Sequence, residues 1–320
     1  MSTEIIHFPG ISSRAWEHPA DTAALRTLRR VPGFDLALRK MFGLFSERAL
    51  RMITLGSAVE VGADQFAHIN SIYEDVLQTL DAPERYQLFI SQNPIVNAGA
   101  VGMDHPFIVL NSGTVSLMDD IQLRSVLGHE LGHILSDHVL YKTMLRLLLR
   151  AGIYAFSLPL TGFALLAVLS ALMEWDRKSE LSADRAGLLV VQDPDVSRSA
   201  LLRMAGGGAE GASVAAFQEQ ARRYDETTHP LDSVVKTMAL LGRRHPFPVQ
   251  RIRELDAWID AGEYQQIIDG NYPLRVDDPE EHPMGDWFRE MGSTVEDTAN
   301  TAWDWIRSRV TVTGGETGEE

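Results

Sequence analysis

Between Ala151 and Met173 the chain reads "AGIYAFSLPLTGFALLAVLSALM", 23 residues without one charged side chain. That is long enough to cross a bilayer, whose apolar layer of about 30 Å takes about 20 helical residues. Taken alone, the run divides the possible folds into two kinds, membrane-spanning and not. What decides between them is the pair of polar motifs on either side, "HELGH" at 129–133 and "ELSAD" at 180–184.

On a helix, positions i and i+4 lie on one face a turn apart. His129 and His133 can therefore aim imidazole nitrogens at one ion, while Glu130 reaches a water on that ion without ligating it. This is the spacing of HExxH zinc hydrolases. A catalytic zinc takes three protein ligands and keeps one position open. The extended pattern HExxHxxGxxH fails, because Ser136 and Val139 hold its last two positions. A Glu from a second helix remains, and Glu180 and Asp184 again stand at i and i+4. Glu180 is the expected third ligand. Asp184 is expected to accept the other ring N–H of a ligand histidine, which sets the tautomer. His138 falls on another face of the same helix and reads as a plain surface residue.

These ligands constrain the apolar run. A single crossing would put His133 and Glu180 on opposite sides of a layer about 30 Å thick, although both must bind one ion at about 2 Å. Two crossings need about 40 residues, which the segment does not have. A short apolar hairpin bending near Pro159 and Gly162 is expected instead, and two placements stay open. It is either buried in protein or an oligomer, or dipped into one leaflet. Lys142, Arg146 and Arg150 before it and Arg177 and Lys178 after it would suit a cytoplasmic membrane face.

With no cysteine in the chain, disulfides, iron–sulfur clusters and thiolate zinc sites are excluded. A net charge of −15 argues against a nucleic-acid partner. The stretch from Asn271 to Glu320 carries much of it, with 12 Asp and Glu against 4 Arg and no Lys. The N-terminus shows no basic stretch followed by an apolar run, so a cytoplasmic location is expected, with a peripheral or monotopic seat if the hairpin meets lipid.

Apolar spacing predicts helices from about Pro19 to Leu80. Short strands follow in "RYQLFISQNPIVNAGAVG" and "HPFIVLNSGTVSL". A helix opening at Asp119–Asp120, with Ile121, Val126 and Leu127 on its apolar face, runs through the histidines. Three regions result: an N-terminal helical region (1–80), a catalytic domain (81–265) with the apolar hairpin inserted at 151–173, and an acidic C-terminal extension (266–320). The extension holds an amphipathic helix at 286–310 and a disordered "GGETGEE" end.

HExxH followed by "ELSAD" resembles the HtpX-like and CAAX-prenyl-protease-like gluzincins, zinc metalloendopeptidases often tied to membranes. "VNAGAVG" at 96–102 is similar to the family's Asn-Ala-Phe-Ala-x-Gly segment, with Gly99 in place of the aromatic residue. "RRHPFPVQRIREL" at 243–255 is similar to its His-Pro-Pro-x-x-x-Arg-Ile segment, with Phe247 in place of a proline. These blocks span about Asn97 to Leu255. The resemblance implies an α+β, predominantly helical fold: a gluzincin-type core with a small sheet whose edge strand lines the cleft. It further implies that His245 donates to the developing oxyanion, that Asn97 contacts the substrate backbone, and that Arg251 forms an ion pair to the catalytic helix.

The expected activity is therefore that of an endopeptidase with one zinc per chain, acting on protein or peptide substrates, in membrane-associated quality control by analogy. Glu130 would be its base. A catalytically silent, zinc-stabilised scaffold is the alternative, and an oligomer is open. A prenyl-CAAX processing enzyme would need seven spanning helices, which the sequence lacks.

Overall fold

Gln87–Ser91 and Phe107–Asn111 carry the β-branched and aromatic residues that favour strands, and the described strands are few. The computed structural model describes residues 5–31, 34, 47–151, 162–206, 208, 211–226 and 246–278. Ala58–Glu60 (β1), Gln87–Ser91 (β2), Ala98–Val101 (β3) and Phe107–Asn111 (β4) form one sheet of order β1-β2-β4-β3. β2 and β4 are parallel, and β1 and β3 flank them antiparallel. β3 is consequently an edge. The Asn111 amide bonds to the Asn97 carbonyl, and hydrogen-bonded pairs alternate along an antiparallel ladder. Ala98 and Ala100 thus turn their own N–H and C=O groups to the open side of the sheet.

Helices make up most of the rest, so the fold is α+β and predominantly helical. They are α1 (Pro19–Arg29), α2 (Glu47–Ser57), α3 (Ala67–Thr79), α4 (Ser112–Leu117), α5 (Asp120–Leu135), α6 (Val139–Ala151), α7 (Gly162–Val191), α8 (Pro194–Gly206), α9 (Val214–Glu226), α10 (Pro248–Asp260) and α11 (Glu263–Ile268). One strand, β1, interrupts the stretch expected to be helical; three residues are too few to show a period of two.

α5 starts where its sequence says it should. The Asp119 carboxylate accepts from the Gln122 amide while the Gln122 side chain returns to the Asp119 amide, a reciprocal cap. Val126 and Leu127 are buried, but Ile121 is 55% exposed. It stands five residues before Val126, about 140° around a helix of 3.6 residues per turn, and so faces solvent.

α5 and α7 lie against each other at unusually close range, because small residues line the contact. A Cβ built on Gly132 would sit 2.5 Å from the Ala186 Cβ, and one on Gly128 would sit 2.2 Å from Val190 Cγ2. Around them Leu127, Leu131, Leu188 and Leu189 are fully or almost fully buried, in one core with Phe8 and Trp16 near the N-terminus, Leu88 and Ile108 of the sheet, and Trp258 of α10. Each such leucine contributes roughly 1.5–3 kcal/mol.

A second core joins Tyr141, Leu145 and Leu148 of α6 to Val168, Leu172 and Trp175 of α7 and Leu28 of α1. Of the apolar run, Ala151 closes α6 and Gly162–Met173 opens α7, with Val168 and Leu172 buried in protein. Residues 152–161, including Pro159 at the expected bend, lie outside the described residues, as do the 286–310 stretch and the acidic tail. Among the described residues no helix is long and apolar enough to cross a membrane.

Candidate metal centre

The close α5–α7 contact brings the two motifs together. His129 and His133 come from α5, Glu180 and Asp184 from α7. His129 Nε2 lies 3.6 Å from Glu180 Oε2, and His133 Nε2 lies 3.3 Å from Glu180 Oε1. One donor atom from each of the three residues falls within 4.8 Å of the others. Two imidazole nitrogens and a carboxylate oxygen are the donor set of many catalytic zinc sites, so these residues fit a divalent ion. His133 and Glu180 are buried, while His129 borders a cavity of about 330 Å³. Asn97, Ala98, Glu130 and Arg251 share its wall.

Each of the three is held from behind. His129 Nδ1 donates to Asp184 Oδ1 at 3.1 Å, and Asp184 in turn accepts from Arg251 Nε of α10 at 2.8 Å. The ion pair expected for Arg251 is thus with the helix that carries Glu180. Burial alone would push the His129 imidazole down, but hydrogen bonds to Asp184 and Glu180, and their charges, raise it to about 9. The same burial would raise Asp184, which Arg251 holds below the usual carboxylate range. His133 behaves oppositely: burial and the Lys142 ammonium keep it well below an ordinary histidine.

Lys142 departs from the expectation of a membrane-facing charge. Its Nζ is buried and donates to Asp176 at 2.7 Å and to Glu180 Oε1 at 2.6 Å. Two carboxylates outweigh its desolvation and raise its pKa. Arg146, expected in the same role, donates to the Ala100 carbonyl. Its guanidinium fills the space a side chain on Gly99 would take, 2.7 Å from where that Cβ would be.

His138 overturns another expectation, since it is buried rather than on the surface. α5 ends at Leu135, Asp137 takes a left-handed conformation at φ 56°, and the His138 amide folds back onto the His133 carbonyl at 3.0 Å. Helical periodicity no longer applies past Leu135, so His138 returns beside His133, their Nδ1 atoms 3.0 Å apart.

Glu130 is buried, and its Oε2 accepts from the Ala100 amide on the open edge of β3 at 2.7 Å. Asn97 is exposed where it lines the cavity. Thr114 pins its backbone, accepting from the Asn97 amide at 2.8 Å and donating to its carbonyl at 2.7 Å. His245 lies outside the described residues; its neighbour Pro246 lines the cavity.

The chain matches the model of peptidase family M48 over residues 63–259, well over half its length and including every residue of this cluster. The chain belongs to peptidase family M48. A plastoglobule-localized metallopeptidase 48 of Arabidopsis thaliana is 32% identical over 268 residues, 82% of this chain and 77% of that protein. A protease HtpX homolog of Tropheryma whipplei is 30% identical over 146 residues, 38% of this chain and half of that protein. An M48 metallopeptidase uses a metal to act on proteins or peptides, and His129, His133 and Glu180 are a group that could hold one.

Sequence reading missed two side chains of this M48 centre, His138 and Lys142. The only local signal was Asp137, a residue type that tolerates a left-handed turn and can end a helix.

Proposed function

We propose that this M48 peptidase is a zinc-dependent endopeptidase, with His129, His133 and Glu180 as ligands and Glu130 as general base. The observation that carries it is the convergence of those three donor groups within 4.8 Å beside the buried Glu130 carboxylate, at a cavity bordered by an open strand edge. When bound there, zinc supplies Lewis acidity that lowers the pKa of a water and stabilises charge developing on a carbonyl oxygen.

The remaining work falls to the chain. Glu130 is fixed through Oε2 by Ala100, which leaves Oε1 to take a proton from the attacking water and pass it to the leaving amine. An extended peptide pairs with the outward N–H and C=O of Ala98, and Asn97 adds a side-chain contact beside it. Asp184, anchored by Arg251, keeps His129 Nδ1 protonated so that Nε2 faces the ion. His245, from its place before Pro246, donates to the oxyanion. Membrane contact through 151–173 belongs to the same proposal, because Leu149 just before the segment and Leu166 within it are exposed. Flotation of the full chain with liposomes tests that contact, and a chain that stays at the bottom of the gradient would refute it.

The deciding experiment for the chemistry is Glu130→Gln. Wild type with one zinc per chain cleaves casein, and the variant loses about 10²–10⁴ in kcat with zinc content unchanged. Cleavage that survives the substitution removes Glu130 from the mechanism. Wild type without zinc that cleaves equally well removes the metal.

A further inference from the structure

His133 is the ligand whose supports the motifs do not explain. Its Nδ1 lies 3.0 Å from His138 Nδ1. On the far side of that ring, His138 Nε2 lies 3.0 Å from Asp21 Oδ2 of α1. The same oxygen accepts the Ser182 hydroxyl at 2.6 Å, and all four residues are buried. From this geometry we propose that Asp21 and His138 are positioning residues that set the tautomer of His133; the proposal rests on the metal reading above.

The argument is one of donors and acceptors. A carboxylate only accepts, so His138 Nε2 must carry a hydrogen to bond to Asp21. A neutral imidazole has one donor and one acceptor nitrogen, so in its neutral form His138 has a bare Nδ1. Facing it is His133 Nδ1, which must therefore donate. His133 Nε2 is then left with a lone pair, and it is the nitrogen 3.3 Å from Glu180 Oε1. Reversing any link would put a hydrogen on the nitrogen that has to bind the ion. The His129–Asp184 pair does the same with one step, whereas His133 needs two.

Asp21 precedes residue 63, where the family match begins, so the N-terminal helix supplies part of the site. Its seat is built for that: the His18 amide donates to Ser182 Oγ at 2.9 Å, and Trp16 Nε1 donates to Ser136 Oγ at 3.1 Å. The His138 ring also stands edge-on to Trp175, with centroids 5.5 Å apart.

The test uses the full chain with ¹⁵N-labelled histidine, in metal-free and zinc-loaded forms. Long-range ¹H–¹⁵N spectra of the metal-free protein should show His133 as the Nδ1–H tautomer. Asp21→Leu, which removes the acceptor of His138 Nε2–H, and His138→Phe should shift it toward Nε2–H. Chelator competition should show zinc bound about 10- to 100-fold more weakly by both variants. His138→Gln, whose Oε1 can accept from His133 while its Nε2 donates to Asp21, should keep most of the affinity. If His138→Phe does not fold, Asp21→Leu and His138→Gln still decide the matter. The proposal is overturned if wild-type His133 is the Nε2–H tautomer, or if Asp21→Leu binds zinc as tightly as wild type. A wild type that binds no zinc would instead sink the metal reading, and the tautomer spectra would still judge the pair.

Discussion

Gly132 is the position where fold and metal site can be separated by one methyl group. It lies inside HELGH, between the two ligand histidines, and faces α7 where a Cβ would meet the Ala186 Cβ at 2.5 Å. Carbon atoms rest at about 3.5–4.0 Å. Gly132→Ala must therefore push α5 and α7 apart locally by about 1 Å. Overpacking of this kind costs about 1–3 kcal/mol, and the better helix propensity of alanine offsets about 1 kcal/mol of it. A net loss of about 0–2 kcal/mol is expected in the metal-free protein, small enough for the variant to fold.

Zinc should register the change far more strongly. Metal–ligand distances are held to within about 0.2 Å, and α5 carries two of the proposed ligands while α7 carries the third. A separation of about 1 Å exceeds that tolerance several-fold, so zinc affinity should drop by at least about tenfold. Urea denaturation in EDTA measures the first quantity, and chelator competition measures the second. Adding Ala186→Gly moves the methyl from one helix to the other, cancels the propensity terms and reopens the gap. The double variant should regain both stability and affinity. Wild-type zinc affinity in Gly132→Ala, or no recovery in the double variant, would refute the claim that this contact sets the ligand spacing.

Two further outcomes follow from the charges around the site. Lys142→Met leaves Asp176 and Glu180 buried without their shared cation, and urea denaturation in EDTA should show a loss of about 3–5 kcal/mol, smaller with zinc present, since the ion then neutralises Glu180. His129 is raised to about 9 in the metal-free protein, so its proton stabilises that form fully below the unfolded value near 6.5 and is lost as pH rises through 9. Zinc displaces the same proton, so chelator competition should show affinity rising up to about tenfold per pH unit from neutrality to about 9, while the EDTA-treated protein loses stability over that range; parallel trends would contradict the assignment.

How legible the site was depended on whether its geometry is local. His129, Glu130 and His133 share a helix turn, and so do Glu180 and Asp184; spacing alone placed each set on one face, and counting donors suggested that they meet. The strands β2 and β4 showed in their β-branched and aromatic residues, whereas β3, Ala-Gly-Ala-Val, offers a single valine. Illegible were the places where local rules stop. His138 was extrapolated along a helix that ends at Leu135, because nothing in a periodic pattern marks the left-handed turn at Asp137. Lys142 was counted as a surface charge, since its carboxylate partners lie 34 and 38 residues downstream. Asp21 reaches the site only through tertiary contacts to Ser182 and His138, which no motif spacing encodes. β1 was missed for its length.

The Lys142 contacts bear on the apolar run independently of any metal. Lys142 precedes the run, Asp176 and Glu180 follow it, and the ammonium joins both carboxylates at 2.7 and 2.6 Å inside the protein. A single crossing between α6 and α7 would pull these partners apart across about 30 Å of hydrocarbon and separate a buried ammonium from both of its carboxylates, at a cost of several kcal/mol. Leu145 and Leu148, before the run, share a core with Val168 and Leu172 inside it, so α6 and α7 are already joined by apolar contact. The chain that departs along α6 must therefore come back to α7 on the side it left. Ligand spacing requires this return for one ion to be shared, and a buried lysine requires it with no ion at all. Were zinc binding disproved tomorrow, the return of α7 to the side of α6 would stand on the lysine alone.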